Sequence, residues 1–442
     1  MNQAFLDYYK CPDQFADFRP AGGRPSGNGR GYFRFGADVV CYGRADVPVQ
    51  ATVCDSLPDA LSGIRMEGPA CFLPFDPTEI ANNLRYEHYV NGVRKSGWNK
   101  AIRELYYVVR PALPVAVRRH LQRTWLKSWK QRPFPRWPVD RTVDQMFERL
   151  MAISLRSYQR VPFVWFWPEG RSSCAIMTHD VETASGLNFA RELMDINDSF
   201  GIKSSFQMIP DARYEVNEAR LGNICSRGFE INVHDLKHDG HLFDDYEQFL
   251  RAAERINEYA RRFGSKGFRS GALYRNQDWY HAFSFAYDMS VPNVGHLDPQ
   301  PGGCCTVMPY FVGNILELPL TTTQDYSLFN ILGVYSLDLW QEQIGHIMKQ
   351  HGLISFIVHP DYLDTTRAKH TYTALLAYLA ELRQTSGIWT ALPREVDDWW
   401  RQRNRMRLVP NGSGWRIEGE GAERARVAYA TLANDEVSYV LG

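Results

Sequence analysis

What most limits the fold of this chain is a change of rhythm after residue 165. From there, short apolar runs alternate with amphipathic stretches to the neighbourhood of residue 400. The apolar runs are "CAIMTHD", "IKSSFQMI", "FEINVHD", "GFRSG", "NILELPL", "LISFIVHP" and "GIWTALP". Between them lie helix-like stretches such as "NFARELMDINDSF", "DDYEQFLRAAERINEYARRFG", "LDLWQEQIGHIMKQHG" and "TYTALLAYLAELRQTSG". Strands alternating with helices predict a parallel sheet with crossover helices. Seven or more such strands in one run fit a closed (β/α) barrel better than an open sheet, with the doubly wound sheet as the alternative.

Strands of a parallel sheet are covered on both faces and are expected to be apolar throughout. Here several end on a charged or metal-capable side chain: Asp180 after "CAIMTH", His234 after "FEINV", Arg269 after "GF" and His359 after "LISFIV". Each has a plain structural explanation. An Asp at a strand end caps the next helix, an Arg pairs with a neighbour, and a lone His is satisfied in the core. Taken together they arrive in order at successive strand ends, and in a parallel barrel those ends share the face that carries an active site.

At these residues the chain resembles the polysaccharide deacetylases, the NodB-like carbohydrate esterases. Their TFDD motif corresponds to Thr178-His179-Asp180-Val181, extended to "THDVE". Their HxxxH pair corresponds to "RGFEINVHDLKH", their Arg-led loop to "GFRSGALYRN", and their final His motif to "LISFIVHPD". "LELPLT" and "GIWTALPREVDDWW" are similar to the family's following strand and its closing strand and helix. The resemblance covers roughly residues 165–402. It implies a distorted (β/α)7-type barrel and metal-assisted hydrolysis of an N- or O-acetyl group.

Carried over by position, the resemblance makes Asp180 the general base, His234 and His238 metal ligands, His359 the general acid and Arg269 the partner that keeps Asp180 ionised. It implies one divalent ion. Two imidazoles and a carboxylate suit Zn²⁺, Co²⁺ or Ni²⁺. The family's second Asp falls on Val181, which cannot bind a metal. Glu182 is expected to replace it. Two other outcomes stay open: Asp180 is itself the ligand, which leaves His179 as the nearest base, or the site is metal-poor and non-catalytic. In the Arg-led loop, Ser270 and Gly271 stand where prolines are usual. Tyr274 and Trp279 are candidate sugar-binding faces, with Tyr280 beside them. Adjacent Cys304 and Cys305 read as structural.

Composition bounds the rest. The 50 Lys and Arg balance 50 Asp and Glu, so no overall field attracts nucleic acid. The eight Cys show no CxxC spacing, which favours a reducing compartment over a disulfide framework. No apolar run approaches a membrane span, and the N-terminus carries no secretory pattern, so a cytoplasmic, soluble protein is expected. Residues 1–150 read as an α+β domain of unassigned role and residues 403–442 as a small antiparallel β extension. Within the former, "GYFRFGADVVCYG" reads as one strand. "DPTEIANNLRYEHYV" starts a helix, with Asp76 as cap, Pro77 at its first position and Glu79 at its third. The Gly-rich stretch 19–36 reads as a loop. Between 110 and 141 nine Lys or Arg face a single Asp, and Val117, Leu121, Trp125 and Trp129 recur every four residues. That pattern suits a packed helix leading into a Pro-rich linker, or peripheral contact with an anionic membrane or carrier.

The expected function is removal of an acetyl group from an N-acetylated sugar or polysaccharide precursor. Another C–N hydrolase acting on an amide or ureide, or a decayed glycan-binding or scaffold protein, are the alternatives.

Overall fold

In the computed structural model, residues 1–22, 29–90, 129–211, 213–434 and 436–442 are described. The rhythm after residue 165 becomes one curled sheet. Its strands are β1 (Cys174–Val181), β2 (Ser205–Met208), β3 (Glu230–His234), β4 (Gly267–Arg269), β5 (Tyr287–Asp288), β6 (Tyr310–Val312), β7 (Ile315–Glu317), β8 (Leu353–Ile357) and β9 (Trp389–Ala391). Their order is β6-β7-β5-β4-β3-β2-β1-β8, with β9 paired to the start of β1. All neighbours run parallel except the β6–β7 hairpin. The fold is therefore the distorted α/β barrel expected, with β5 and β6 as short additions that the apolar pattern did not mark.

The ladder does not close. Beyond β7 the chain runs on through Pro319, which has no N–H to give to a neighbouring strand. Threonine hydroxyls bridge the gap: Thr321 Oγ1 donates to Leu353 O at 2.7 Å and Thr322 Oγ1 to Ser355 O at 2.7 Å. The Ser355 N–H in turn donates to Thr321 Oγ1.

Helices α1 (Ala184–Ser199), α2 (Glu218–Ser226), α3 (Tyr246–Phe263), α4 (Asp338–Met348), α5 (Thr366–Thr385) and α6 (Pro393–Arg405) connect the strands or follow them. Their ends obey local chemistry. Thr183 caps α1 by accepting from Ser185 N and Gly186 N, and Asp245 caps α3 by accepting from Gln248 N. Gly264, in the left-handed region, ends α3. Phe249, Ala253, Ile256, Ala260 and Phe263 recur at three- and four-residue steps and form the buried face of α3.

Strand period decides which residues meet. Along β1, Ala175, Met177 and Val181 join the core between strands and helices, and His179 points the same way. Thr178 and Asp180 therefore face the barrel interior. The same alternation sends Phe206, Met208, Ile231, Val233, Ile354 and Phe356 outward. Ser205, Gln207, Glu230, Asn232 and Ser355 are left inside, all buried. The strands are thus not apolar throughout: the outer face is so apart from His179, and the interior mixes these hydrogen-bonding side chains with apolar ones such as Ile176, Leu316 and Leu353.

The flanking regions pack tightly on this sheet. "GYFRFGADVVCYG" is a hairpin, Gly31–Arg34 with Val40–Gly43, rather than one strand. Gly36 at φ +81° and a Phe35 N to Val39 O bond make the turn. Asp76 and Pro77 start helix Pro77–Arg85 as expected. The C-terminal residues form two hairpins, Arg407–Asn411 with Gly414–Glu418 and Val427–Ala433 with Glu436–Leu441. Val161–Val164 adds a third strand to the second hairpin. One hydrophobic cluster joins Phe5 and Tyr9, helix Thr142–Ser154, Cys174, Leu316, Trp399 and Ala428. The linker also lies against the barrel, with Asn293 and Asp140 exchanging two hydrogen bonds. Most of the basic stretch, 110–128, lies outside the described residues. No helix among the described residues is long and apolar enough to cross a membrane.

Candidate active site

The site lies where β1, β3, β4 and β8 end. Because β-period two puts Asp180 and Glu182 on the same side, Val181 occupies the core position between them. A second carboxylate, Glu182, thus follows Asp180 at a spacing of two, on the same face and with one methylene more.

Glu182, His234 and His238 each bring a ligand atom into a group whose members lie within 4.8 Å of one another. Glu182 Oε1 is 3.1 Å from His238 Nε2 and 3.6 Å from His359 Nε2. His234 Nδ1 donates to Arg269 O at 3.1 Å, which turns Nε2 into the site. That Nε2 is buried and has no hydrogen-bond partner among the described residues. Burial lowers the His234 pKa to about 4, so the ring is neutral at pH 7, the form that binds a metal. His238 does not share a helical face with His234. It sits one loop further on, with Asp235 and His238 both in the left-handed region. Asp235 pins this loop by accepting from Leu236 N and Gly271 N. An orphaned neutral imidazole beside a carboxylate and a second imidazole is a donor set that fits one divalent ion.

Asp180 is buried against Arg269, with Oδ2 3.5 Å from Nη1 and 3.7 Å from His234 Nε2. Burial alone would raise its pKa. Arg269, His234 and His359 outweigh that and hold it below the usual carboxylate range. Its other oxygen has no hydrogen-bond partner among the described residues. Arg269 is itself steadied by donating to Thr178 Oγ1 at 3.1 Å. Glu182 follows the same balance: burial opposes ionisation, but His238, His359 and His234 hold it well below the usual range.

His359 is gripped by a residue that the sequence did not single out. Asp325 accepts from His359 Nδ1 at 2.6 Å and from His359 N at 2.8 Å. Burial would lower the His359 pKa, yet Asp325, Glu182 and Asp180 push it up to about 10. Asp325 ends "LPLTTTQD", beyond the stretch that closes the barrel. It stands eight residues beyond the end of β7, so no strand-end spacing marks it.

The remaining candidates separate. His179 faces the helices, between Val358 O at 2.9 Å and Asn197 Nδ2 at 3.1 Å, and cannot serve as a base in the site. Trp279 stacks among Phe243, Tyr246 and Phe249 beside α3, and no ring contact or hydrogen bond joins it to the triad among the described residues. Tyr280 is buried and donates to Asp288 Oδ2. Tyr274 is buried at the end of the loop that starts at Ser270. That loop lies against the triad: a Cβ on Gly271 would stand 2.4 Å from Asp235 Oδ2 and 3.1 Å from His238 Cδ2. Cys304 and Cys305 are buried and unpaired by disulfide, and burial pushes the Cys304 thiol well above the usual range.

No family model matches the sequence, and no curated protein matches it. Solved structures do. A "putative polysaccharide deacetylase" from Mycobacterium smegmatis is 17% identical, with a TM-score of 0.44, over 54% of this chain and 93% of its own. A "probable polysaccharide deacetylase" from Pseudomonas aeruginosa PAO1 is 12% identical, with a TM-score of 0.40, over 53% and 93%. PuuE allantoinase is 11% identical, with a TM-score of 0.41, over 53% and 92%. The chain is thus similar to polysaccharide deacetylases, at a distance where the strand order and the site residues must carry any functional argument.

Proposed function

We propose that this protein is a metal-dependent hydrolase that removes an acetyl group from an N-acetylated sugar or a polysaccharide precursor. The observation that carries the reading is the meeting of three units at the strand ends: Glu182–His234–His238, Asp180–Arg269 and His359–Asp325. Glu182, His234 and His238 would hold a divalent ion through two imidazole nitrogens and one carboxylate oxygen, a donor set that suits zinc, cobalt or nickel. When bound, such an ion polarises the acetyl carbonyl and lowers the pKa of water.

The chain's own groups supply the proton transfers. Asp180, kept ionised by Arg269, takes the proton of the attacking water. His359, protonated and aligned by Asp325 on Nδ1, offers the Nε2 proton to the departing amine as the C–N bond breaks. Acetate and a free amino sugar result. The decayed-site alternative drew its support from Val181, and strand alternation removes that support.

The test is acetate release from N-acetyl sugars, sugar nucleotides and lipid-linked sugars, with zinc or cobalt supplied and an amide or ureide panel alongside. Acetate from at least one acetylated sugar is expected. Turnover of ureides alone would transfer the site to another C–N hydrolase. No turnover, together with no bound metal, would sink the enzymatic reading.

A further inference from the structure

We propose that Asp361 is a positioning residue that fixes Glu182 for metal binding and ties it to the segment carrying His359. The inference rests on the reading of Glu182 as a metal ligand.

His359, Pro360 and Asp361 follow β8 directly, and Pro360–Tyr362 forms a single tight turn. From there the Asp361 carboxylate reaches across to the end of β1. Oδ2 accepts from Glu182 N at 3.1 Å, and Oδ1 accepts from Gly186 N at 3.2 Å and from the Thr183 hydroxyl. Three donors on the span from Glu182 to Gly186 thus converge on one side chain from a different strand. The approach needs Gly186: a Cβ there would stand 2.4 Å from Asp361 Oδ2. The carboxylate also sits at the N-terminus of the 16-residue helix α1, where negative charge is favoured.

The consequence concerns the one place where the carboxylate spacing is unusual. Glu182 lies just past the last residue of β1, and its side chain has more rotatable bonds than an Asp. A ligand of that kind needs a fixed origin, because each freely rotating bond must be frozen when the ligand is engaged. Asp361 supplies the fixed origin by holding the Glu182 amide. Since His359 is only two residues away, the same turn sets the place of the general acid. Glu182 Oε1 and His359 Nε2 stand 3.6 Å apart, a separation fixed from both sides by one short segment.

The experiment measures Co²⁺ affinity of the full chain, freed of metal, by titration calorimetry. Asp361→Ala is expected to weaken Co²⁺ binding by roughly 10–100-fold, the usual effect of removing a group that orients a ligand. Asp361→Asn keeps one acceptor oxygen and should recover most of the loss. Gly186→Ala displaces the carboxylate without deleting it, and should weaken binding if Asp361→Ala fails to fold. The decisive arm is the Glu182→Gln background. There Asp361→Ala should have little further effect, because the two act through one ligand. An equal loss in both backgrounds would overturn the proposal, as would wild-type affinity in Asp361→Ala; in those cases the metal site itself stands. A wild-type protein that takes up no Co²⁺ would overturn the metal reading and this inference with it.

Discussion

The two ends of the barrel interior hold similar residues and differ in how completely those residues are satisfied. At the end away from the site, Glu230 accepts from Asn232 Nδ2 at 2.8 Å, from the Tyr287 hydroxyl and from Arg394 N at 3.1 Å. Both of its oxygens are used, and burial pushes its pKa up to about 7. At the end that carries the candidate site, Asp180 Oδ1 and His234 Nε2 are as deeply buried and lack hydrogen-bond partners among the described residues. Leaving a buried polar group unpaired costs roughly 1–3 kcal/mol, so a protein bears several together only where something else uses them. One buried carboxylate is fully partnered and the other is left partly open, and the difference lies in their partners, not in their burial.

Substitutions can break that contrast. The largest effect is expected at the ligands. His234→Ala or His238→Ala should abolish stoichiometric metal, measured by elemental analysis, and bring acetate release to background while the circular dichroism spectrum is kept. Equal metal in wild type and both variants would remove the contrast altogether.

Asp180 and Glu182 should then fail in different ways. Asp180→Asn keeps its shape but cannot accept a proton, so it should retain metal and lose activity by roughly 10²–10⁴. Glu182→Gln should lose metal affinity first, and excess metal should restore part of its activity. If instead Asp180→Asn empties the site and Glu182→Gln behaves as wild type, the two roles are exchanged.

A smaller loss is expected for Asp325→Asn, on the order of 10-fold to 10²-fold in kcat, since the imidazole remains but loses the carboxylate that charges and aligns it. Metal content should be unchanged. A variant that loses metal instead would place Asp325 in the metal arm.

The smallest effect belongs to the other end. Glu230 has a folded pKa of about 7 against an ordinary 4.5. Its neutral form is the one the fold prefers, so its contribution is fully present below about pH 4.5 and is lost as pH rises through about 7. Chemical denaturation should show wild type losing up to a few kcal/mol across that window relative to Glu230→Gln. Activity of Glu230→Gln should match wild type. A flat difference between the two proteins would mean that Glu230 is ionised throughout.

The sequence by itself determined the layout of the barrel. Apolar strands and amphipathic helices must alternate in space as they do in the chain, and a cap such as Asp76 marks a helix start through local hydrogen bonds. It also determined that Asp180, His234, Arg269 and His359 stand at strand ends. Three short elements escaped it: Tyr287–Asp288 and Tyr310–Val312 have too few residues to show a period, and the hairpin at Gly31–Gly43 turns at Gly36, inside what reads as one apolar run. Only the tertiary structure decided the rest. That Val181 is core and Glu182 is the carboxylate of the site follows from which face of β1 meets the helices, and His179 is excluded by the same fact. Asp325 and Asp361 lie 34 residues from His359 and 179 from Glu182 along the chain. Hydrogen bonds across such distances leave no period or spacing in a sequence, because they exist only once the strands that carry them are side by side.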